Sequence, residues 1–194
     1  VHDPAIVAGG SGEFMAVWRQ VVWSGMDTRI WSRRYVRAIG WSAPELVSTR
    51  RGRQPVVASD RSGNFLVGWT SDDPSLSVRS RWFLRDGGWQ SERLVYSDAN
   101  EQSDYEGKLS VAVDNARNAV VAWDLKRYSI PLASSVFEVW ANRCNGIDGH
   151  CDDAGALDSV VHSQNRFGYF AGRPNVAACP TGQIHAVWNR ADDG

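Results

Sequence analysis

The chain has 194 residues, 43% of them hydrophobic and 22% charged, and 21 basic against 22 acidic side chains leave a net charge of -1. That balance supports one sizeable core and creates no field that would favour nucleic acid or an anionic membrane. No apolar run approaches the ~20 residues that cross a bilayer as a helix, so membrane insertion is not expected.

A fifteen-residue block opens the chain, PAIVAGGSGEFMAVW over residues 4–18, and returns without gaps at residues 55–69, 109–123 and 174–188. Each copy reads as a short apolar strand (residues 6–8 in the first), a polar turn, and a second strand running into Trp18, Trp69, Trp123 or Trp188. The turn is cleanest at Gly63-Asn64, two residues that tolerate positive φ and so suit a hairpin. After the Trp comes a third alternating run: IWSRRY from Ile30, VRSRWF from Val78 and VWANRC from Val139. Alternating β-branched and aromatic residues predict a strand with one buried face. A turn and a fourth strand follow, at Gly40-Trp41 and Gly88-Trp89, with a weaker copy at Gly155-Ala156. No long 3.6-residue periodicity and no helix-capping box appears.

A repeat of about fifty residues holding four antiparallel strands predicts an all-β chain, a β-propeller of four-stranded blades. The β-sandwich is the second choice, because sandwiches rarely repeat so regularly. Three full blades and a half blade fit, with boundaries near 4–53, 54–108, 109–173 and 174–194. Propellers usually close with about four to eight blades. The chain is therefore expected to be a segment of a longer polypeptide or to pair with other blades, through its parent chain or by self-association. Ten Trp are unusual at this length; the four block residues, with Trp41 and Trp89, are expected to pack between sheets.

Cys144 and Cys151 bracket the short loop NGIDGH and are expected to form a disulfide in an oxidising compartment. Cys179 is left over and is expected to be a half-buried thiol. Asp148, Asp152 and Asp153, with Asp158 nearby, make this region the candidate for a structural calcium ion. The spacing fits no EF-hand, and zinc held by Cys144, His150, Cys151 and Cys179 fits no recurrent ligand pattern. No other cofactor is expected. Catalytic signatures are lacking as well: no nucleophile elbow, no paired metal His and no phosphate-cradling loop. His2, His150, His162 and His185 are scattered, and His185, in a second strand, is expected to be partly buried.

The block VAVDNARNAVVAW at residues 111–123, with VWANR at 139–143, resembles the propeller repeats of bacterial secreted and surface proteins, whose units run roughly V-A-V-D-x-x-G-N-A-x-A-V-W, I-W-A-N-R-Y, G-W. The resemblance spans nearly the whole chain and implies an exported propeller module, extracellular, at the cell surface or periplasmic. Arg117 stands at the turn glycine of that pattern and Cys144 at its aromatic. A more distant likeness is to sialidase-type propellers. Their Asp-box, Ser-x-Asp-x-Gly-x-Thr-Trp, has only an imperfect counterpart at residues 59–64, and their Arg-Ile-Pro motif is absent.

In a propeller, the connections from second to third strand and those between blades emerge on one face. Here they vary: the third strand starts twelve, nine and sixteen positions after the block Trp, whereas the hairpin turns are uniform. Variation confined to one face marks it as the binding face. The candidate ligand residues are Trp23, Asp72, Asp73, Asp104, Tyr105, Lys126, Arg127, Tyr128, Arg166 and Tyr169. Exposed aromatics can stack on sugar rings while Asp and Arg meet hydroxyls. The expected function is recognition or scaffolding through a glycan or protein partner, without catalysis. The alternatives are a subunit of an extracellular filament or surface layer, and a fragment of a propeller glycosidase.

Overall fold

The computed structural model describes residues 1–23, 27–98, 103–104, 108–129, 134–145, 151–152, 154–163, 171–179 and 182–190. Strands dominate, and among these residues there is no α-helix, only a 3-10 turn at Gly10–Gly12. The first sheet holds β1 (His2–Ala8), β2 (Phe14–Trp23), β3 (Asp27–Val36), β4 (Gly40–Trp41) and β5 (Glu45–Leu46). The order is β1-β2-β3, with β4 and β5 both on the far edge of β3. The second sheet repeats this with β6 (Arg53–Ser59), β7 (Phe65–Ser71), β8 (Ser77–Leu84), β9 (Gly88–Trp89) and β10 (Arg93–Ser97). The third comprises β11 (Ser103–Asp104), β12 (Leu109–Val113), β13 (Ala119–Ser129), β14 (Ser134–Cys144) and β15 (Gly155–Ser163). A two-stranded fourth sheet pairs β16 (Ala171–Ala178) with β17 (Ile184–Arg190).

The register follows the sequence repeat. Ala5 opposes Val17 and Val7 opposes Met15 in the first sheet; Asn175 opposes Val187 and Ala177 opposes His185 in the fourth. The residue before each block proline, Asp3, Gln54 and Arg173, has φ of 51°, 51° and 56°, and the register shifts at each of these points. Proline has no N–H to give the ladder, which is why it sits beside an irregularity rather than within regular pairing.

Side chains alternate across each strand, so every sheet offers one face to each neighbour. Met15, Val17, Ile30 and Val47 of the first sheet pack on Phe65, Val67 and Trp69 of the second. The other face of the second sheet, with Leu66, Val78, Trp82 and Val95, packs on Leu109, Val121, Trp123 and Leu125 of the third. A smaller seam joins Ala112 and Ala122 of the third sheet to Val176 of the fourth.

The expected stacking of indoles between sheets is met at Trp69 and Trp123, both 0% exposed. Their N–H groups have no partner among the described residues, so packing alone holds the rings. Trp18 is half-buried and Trp41 is 44% exposed, because both lie on the outward face of the first sheet. His185 is exposed, not partly buried as expected: its strand face looks away from the third sheet.

Two loop expectations also change. The sixteen positions from Trp123 to Val139 read as a long connection; instead β13 and β14 continue as a paired hairpin out to Ser129 and Ser134. In the first sheet β2 likewise runs on to Trp23 and β3 begins at Asp27. The variable segments are largely strand extensions, because their residues keep the alternation that a ladder needs.

Candidate functional site

The hairpin extensions and the inter-sheet connections emerge together at one end of the row of sheets. At the first seam Arg50 lies 3.8 Å from Asp73, and Arg53 lies 2.8 Å from Asp72. At the second seam the sheet positions are equivalent but the charges are exchanged. Asp98 occupies the place of Arg50, and Arg127 that of Asp73; they approach to 3.6 Å.

Around Arg127 the second seam builds a denser cluster. Its Nε is 3.4 Å from Glu138, and an NH2 group donates to the Tyr96 hydroxyl at 3.1 Å. The Tyr96 hydroxyl in turn donates to Asp98 at 3.2 Å. Trp140 donates its indole N–H to Glu138 at 2.9 Å, and the guanidinium lies over the Trp140 ring at 5.0 Å. Tyr96 sits against both Trp123 and Trp140, with centroids 5.1 and 5.3 Å away. Burial pushes the Tyr96 phenol above its ordinary range; the Arg127 hydrogen bond opposes this and the Asp98 charge adds to it. Two carboxylates, one guanidinium and two ring faces thus converge where Arg127 is one-third exposed. Asp98 and Glu138 are only 8% and 13% exposed, so Arg127 is the group this cluster offers to solvent, held in place by the carboxylates and rings behind it.

Of the residues singled out in sequence, Asp72, Asp73 and Arg127 carry the rim ion pairs, and Lys126 lies over the Phe137 ring at 5.3 Å. Asp104, in β11, pairs through its backbone with Lys126 on the extended end of β13. Trp23 ends β2, and Tyr128 pairs through its backbone with Ser135. Tyr105, Arg166 and Tyr169 lie outside the described residues, as do Asp148 and Asp153 of the calcium candidate. Asp152 is exposed, and its backbone N–H donates to Arg143 O at 2.8 Å. No group of three potential metal ligands occurs among the described residues. Cys144 and Cys151 form the expected disulfide, which removes both from any zinc site, and Cys179 is a half-buried free thiol.

Sequence reasoning missed Tyr96, Asp98, Glu138 and Trp140. Tyr96 and Asp98 sit at the positions of Ser48 and Arg50 in the previous unit, so departure from the repeat was the available signal. Asp60 and Asp114 were missed too. Each accepts from the second and fourth residues after it, Ser62 and Asn64 or Ala116 and Asn118, and from the side-chain amide of that Asn. They are turn-builders, the reason Asp and Asn recur at that spacing. At this opposite end a cleft of about 470 Å³ separates the turns of the second and third sheets, lined by Asp60, Asn64, Asp86, Asn115 and Arg117.

No protein-family profile matches the chain, and no curated protein does. Its fold is similar to that of solved carbohydrate-acting proteins. The Hadza microbial sialidase Hz136 superposes with a TM-score of 0.54 at 12% identity, over 90% of this chain and 39% of its own. A structure titled as a new family of polysaccharide lyase, PL25 ulvan lyase, gives 0.61 at 10% identity, over 96% and 50%. Polysaccharide lyase Uly1 gives 0.50 at 10% identity, over 98% and 55%. The chain therefore spans about half or less of the length of these proteins. At such identities the likeness speaks for the fold alone.

Proposed function

We propose that the chain is part of an exported β-propeller that recognises a glycan through the end carrying the hairpin extensions, with no catalysis of its own. The carrying observation is the partly exposed Arg127, held at that end by Asp98, Glu138, Tyr96 and Trp140, on the strand extension that also bears Lys126 and Tyr128; Trp23 ends the corresponding extension of the first sheet. Hydroxyl-rich ligands are bound by planar carboxylate and guanidinium groups with an aromatic face beneath the ring. Chains of similar fold are titled as a sialidase and as polysaccharide lyases, and a carbohydrate ligand is carried over from them by analogy. A disulfide fits an oxidising compartment, and no helix among the described residues is long and apolar enough to cross a membrane.

The test is binding to a panel of neutral, uronate-containing and sialylated polysaccharides, followed by titration calorimetry on the best ligand. Trp23→Ala combined with Tyr128→Ala is expected to weaken binding about tenfold or more, as loss of an aromatic anchor does. Undiminished binding by a correctly folded double variant removes Trp23 and Tyr128 from the site, and undiminished binding by Arg127→Ala as well rejects this end. The second reading, a glycosidase or lyase fragment, is favoured by the paired carboxylates around Arg127. Turnover of chromogenic glycosides or uronate polymers that disappears in Glu138→Gln would establish it.

A further inference from the structure

The turn joining the first two strands of each unit needs a left-handed residue. Gly12, Gly63 and Gly182 fill that position with φ of 74°, 86° and 91°, and Arg117 fills it in the third unit at 65°. A side chain at such a φ strains the backbone. Strain of this kind gathers where a side chain serves a site. Arg117 lines the cleft of about 470 Å³ between the turns of the second and third sheets.

The first seam shows how the same place looks when it is closed. There Gly9 and Gly10 let the first sheet's turn lie directly on the second: a Cβ on Gly10 would run into the Arg61 carbonyl, and one on Gly9 would come within 2.7 Å of the Phe65 ring. Glu13 and Arg85 then pair across the seam at 3.3 Å, beside Gly63. In the second unit Asp60 and Arg61 stand at the positions of the two glycines, and Asn64 at that of Glu13. Asn64 is spent within its own sheet, donating to Asp60 at 2.6 Å and accepting from Arg85 N at 3.0 Å. Nothing reaches across, and the turns stand apart.

Two charges of opposite sign line the opening from opposite sheets. Asp86, in the turn between β8 and β9, is exposed, and Arg117, in the turn between β12 and β13, is half-buried. Neither side chain has a hydrogen bond or ion pair among the described residues, so they do not neutralise each other. The other carboxylate of the cleft, Asp60, is 3% exposed and already accepts three bonds from its own turn.

We propose that this cleft binds a small zwitterion, with its carboxylate on Arg117 and its ammonium on Asp86. A guanidinium matches a carboxylate in plane and in donor spacing, and an aspartate accepts from an ammonium. A simple anion would face Asp86 and a simple cation Arg117, whereas a ligand carrying both charges meets an opposite charge at each end. The site lies at the other end of the sheets from Arg127 and does not depend on the glycan reading.

The test follows the amide NMR shifts of Gly87, Asn115 and Ala116 in the 194-residue chain. The probes are glycine, γ-aminobutyrate and ε-aminocaproate, whose charges stand progressively farther apart. Propionate and propylammonium serve as single-charge controls, and maltose as a neutral one. One zwitterion is expected to saturate the shifts and to bind more tightly than every control. Arg117→Gly is expected to weaken it about tenfold or more, as loss of a charge-assisted hydrogen bond does. The urea midpoint of that variant should hold or rise, which separates loss of the site from loss of the fold. Asp86→Lys, a change at an exposed position, is expected to turn the preference from the zwitterion to glutarate, a dicarboxylate. Absence of saturable zwitterion binding overturns the proposal, as does equal binding by Arg117→Gly or an unchanged preference in Asp86→Lys. Tighter binding of maltose than of any zwitterion also overturns it and assigns the cleft to sugar.

Discussion

Arg117 has a φ of 65°, and the corresponding residues of the other three copies, Gly12, Gly63 and Gly182, have 74°, 86° and 91°. The turn demands a left-handed residue in every copy, and the third meets that demand with a side chain that strains there. Arg117→Gly is expected to stabilise the chain by about 0.5–1 kcal/mol, the left-handed penalty less the extra entropy of glycine. Urea denaturation measures it, and a fall in midpoint contradicts it. Tyr96 gives a second expectation at this scale. Its phenol is held above the ordinary value near 10, so the folded state prefers it protonated. Its contribution is intact below that value and is lost as pH climbs past it, because the unfolded chain ionises first. Tyr96→Phe should therefore lose less stability than the wild type between pH ~9 and ~11. Equal losses would show that Tyr96 plays no part. The sequence carried the glycines of these turns plainly. It concealed Asp60 and Asp114, because an Asp that builds a turn looks like any solvated loop carboxylate until its three acceptor bonds are seen.

Equivalent elements differ in what covers them. Trp69 and Trp123 each fill a seam, whereas Trp18 has protein on one side only. Trp69→Ala is expected to cost about 3–5 kcal/mol through the cavity it opens, and Trp18→Ala about 1–2 kcal/mol from lost partial burial. Similar losses at both positions, measured by chemical denaturation, would mean that Trp18 is as enclosed as Trp69. The first three strands of each unit were legible because block, turn and alternating run recur in order. The fourth was less so: β4 and β5 are separate two-residue contacts on β3, as β9 and β10 are separate on β8. The hairpin extensions beyond Trp18 and Trp123 were hidden for another reason. Their residues vary between copies, and variation reads as loop although a strand tolerates it on a solvated face.

For the molecule as a whole, periodicity exposed the all-β character and the row of sheets, since each unit must bury its faces on neighbours. The cluster around Arg127 was only partly visible, through Arg127 itself. Its partners come from β10, from Asp98 just beyond that strand, and from β14, and no spacing along the chain announces a meeting of that sort. The aromatic outward face was legible as composition but not as exposure.

The exchanged charges at the rim carry a consequence for assembly. Chains of look-alike units are prone to joining out of sequence, one unit skipping its neighbour to dock on the next. Here the skip is penalised. If the first sheet met the third directly, Arg50 would confront Arg127, whereas the correct neighbours bring Arg50 to Asp73 and Asp98 to Arg127. Opposite polarity at these two seams would thus set like charges against each other in a transposed order, while the apolar interiors remain nearly interchangeable.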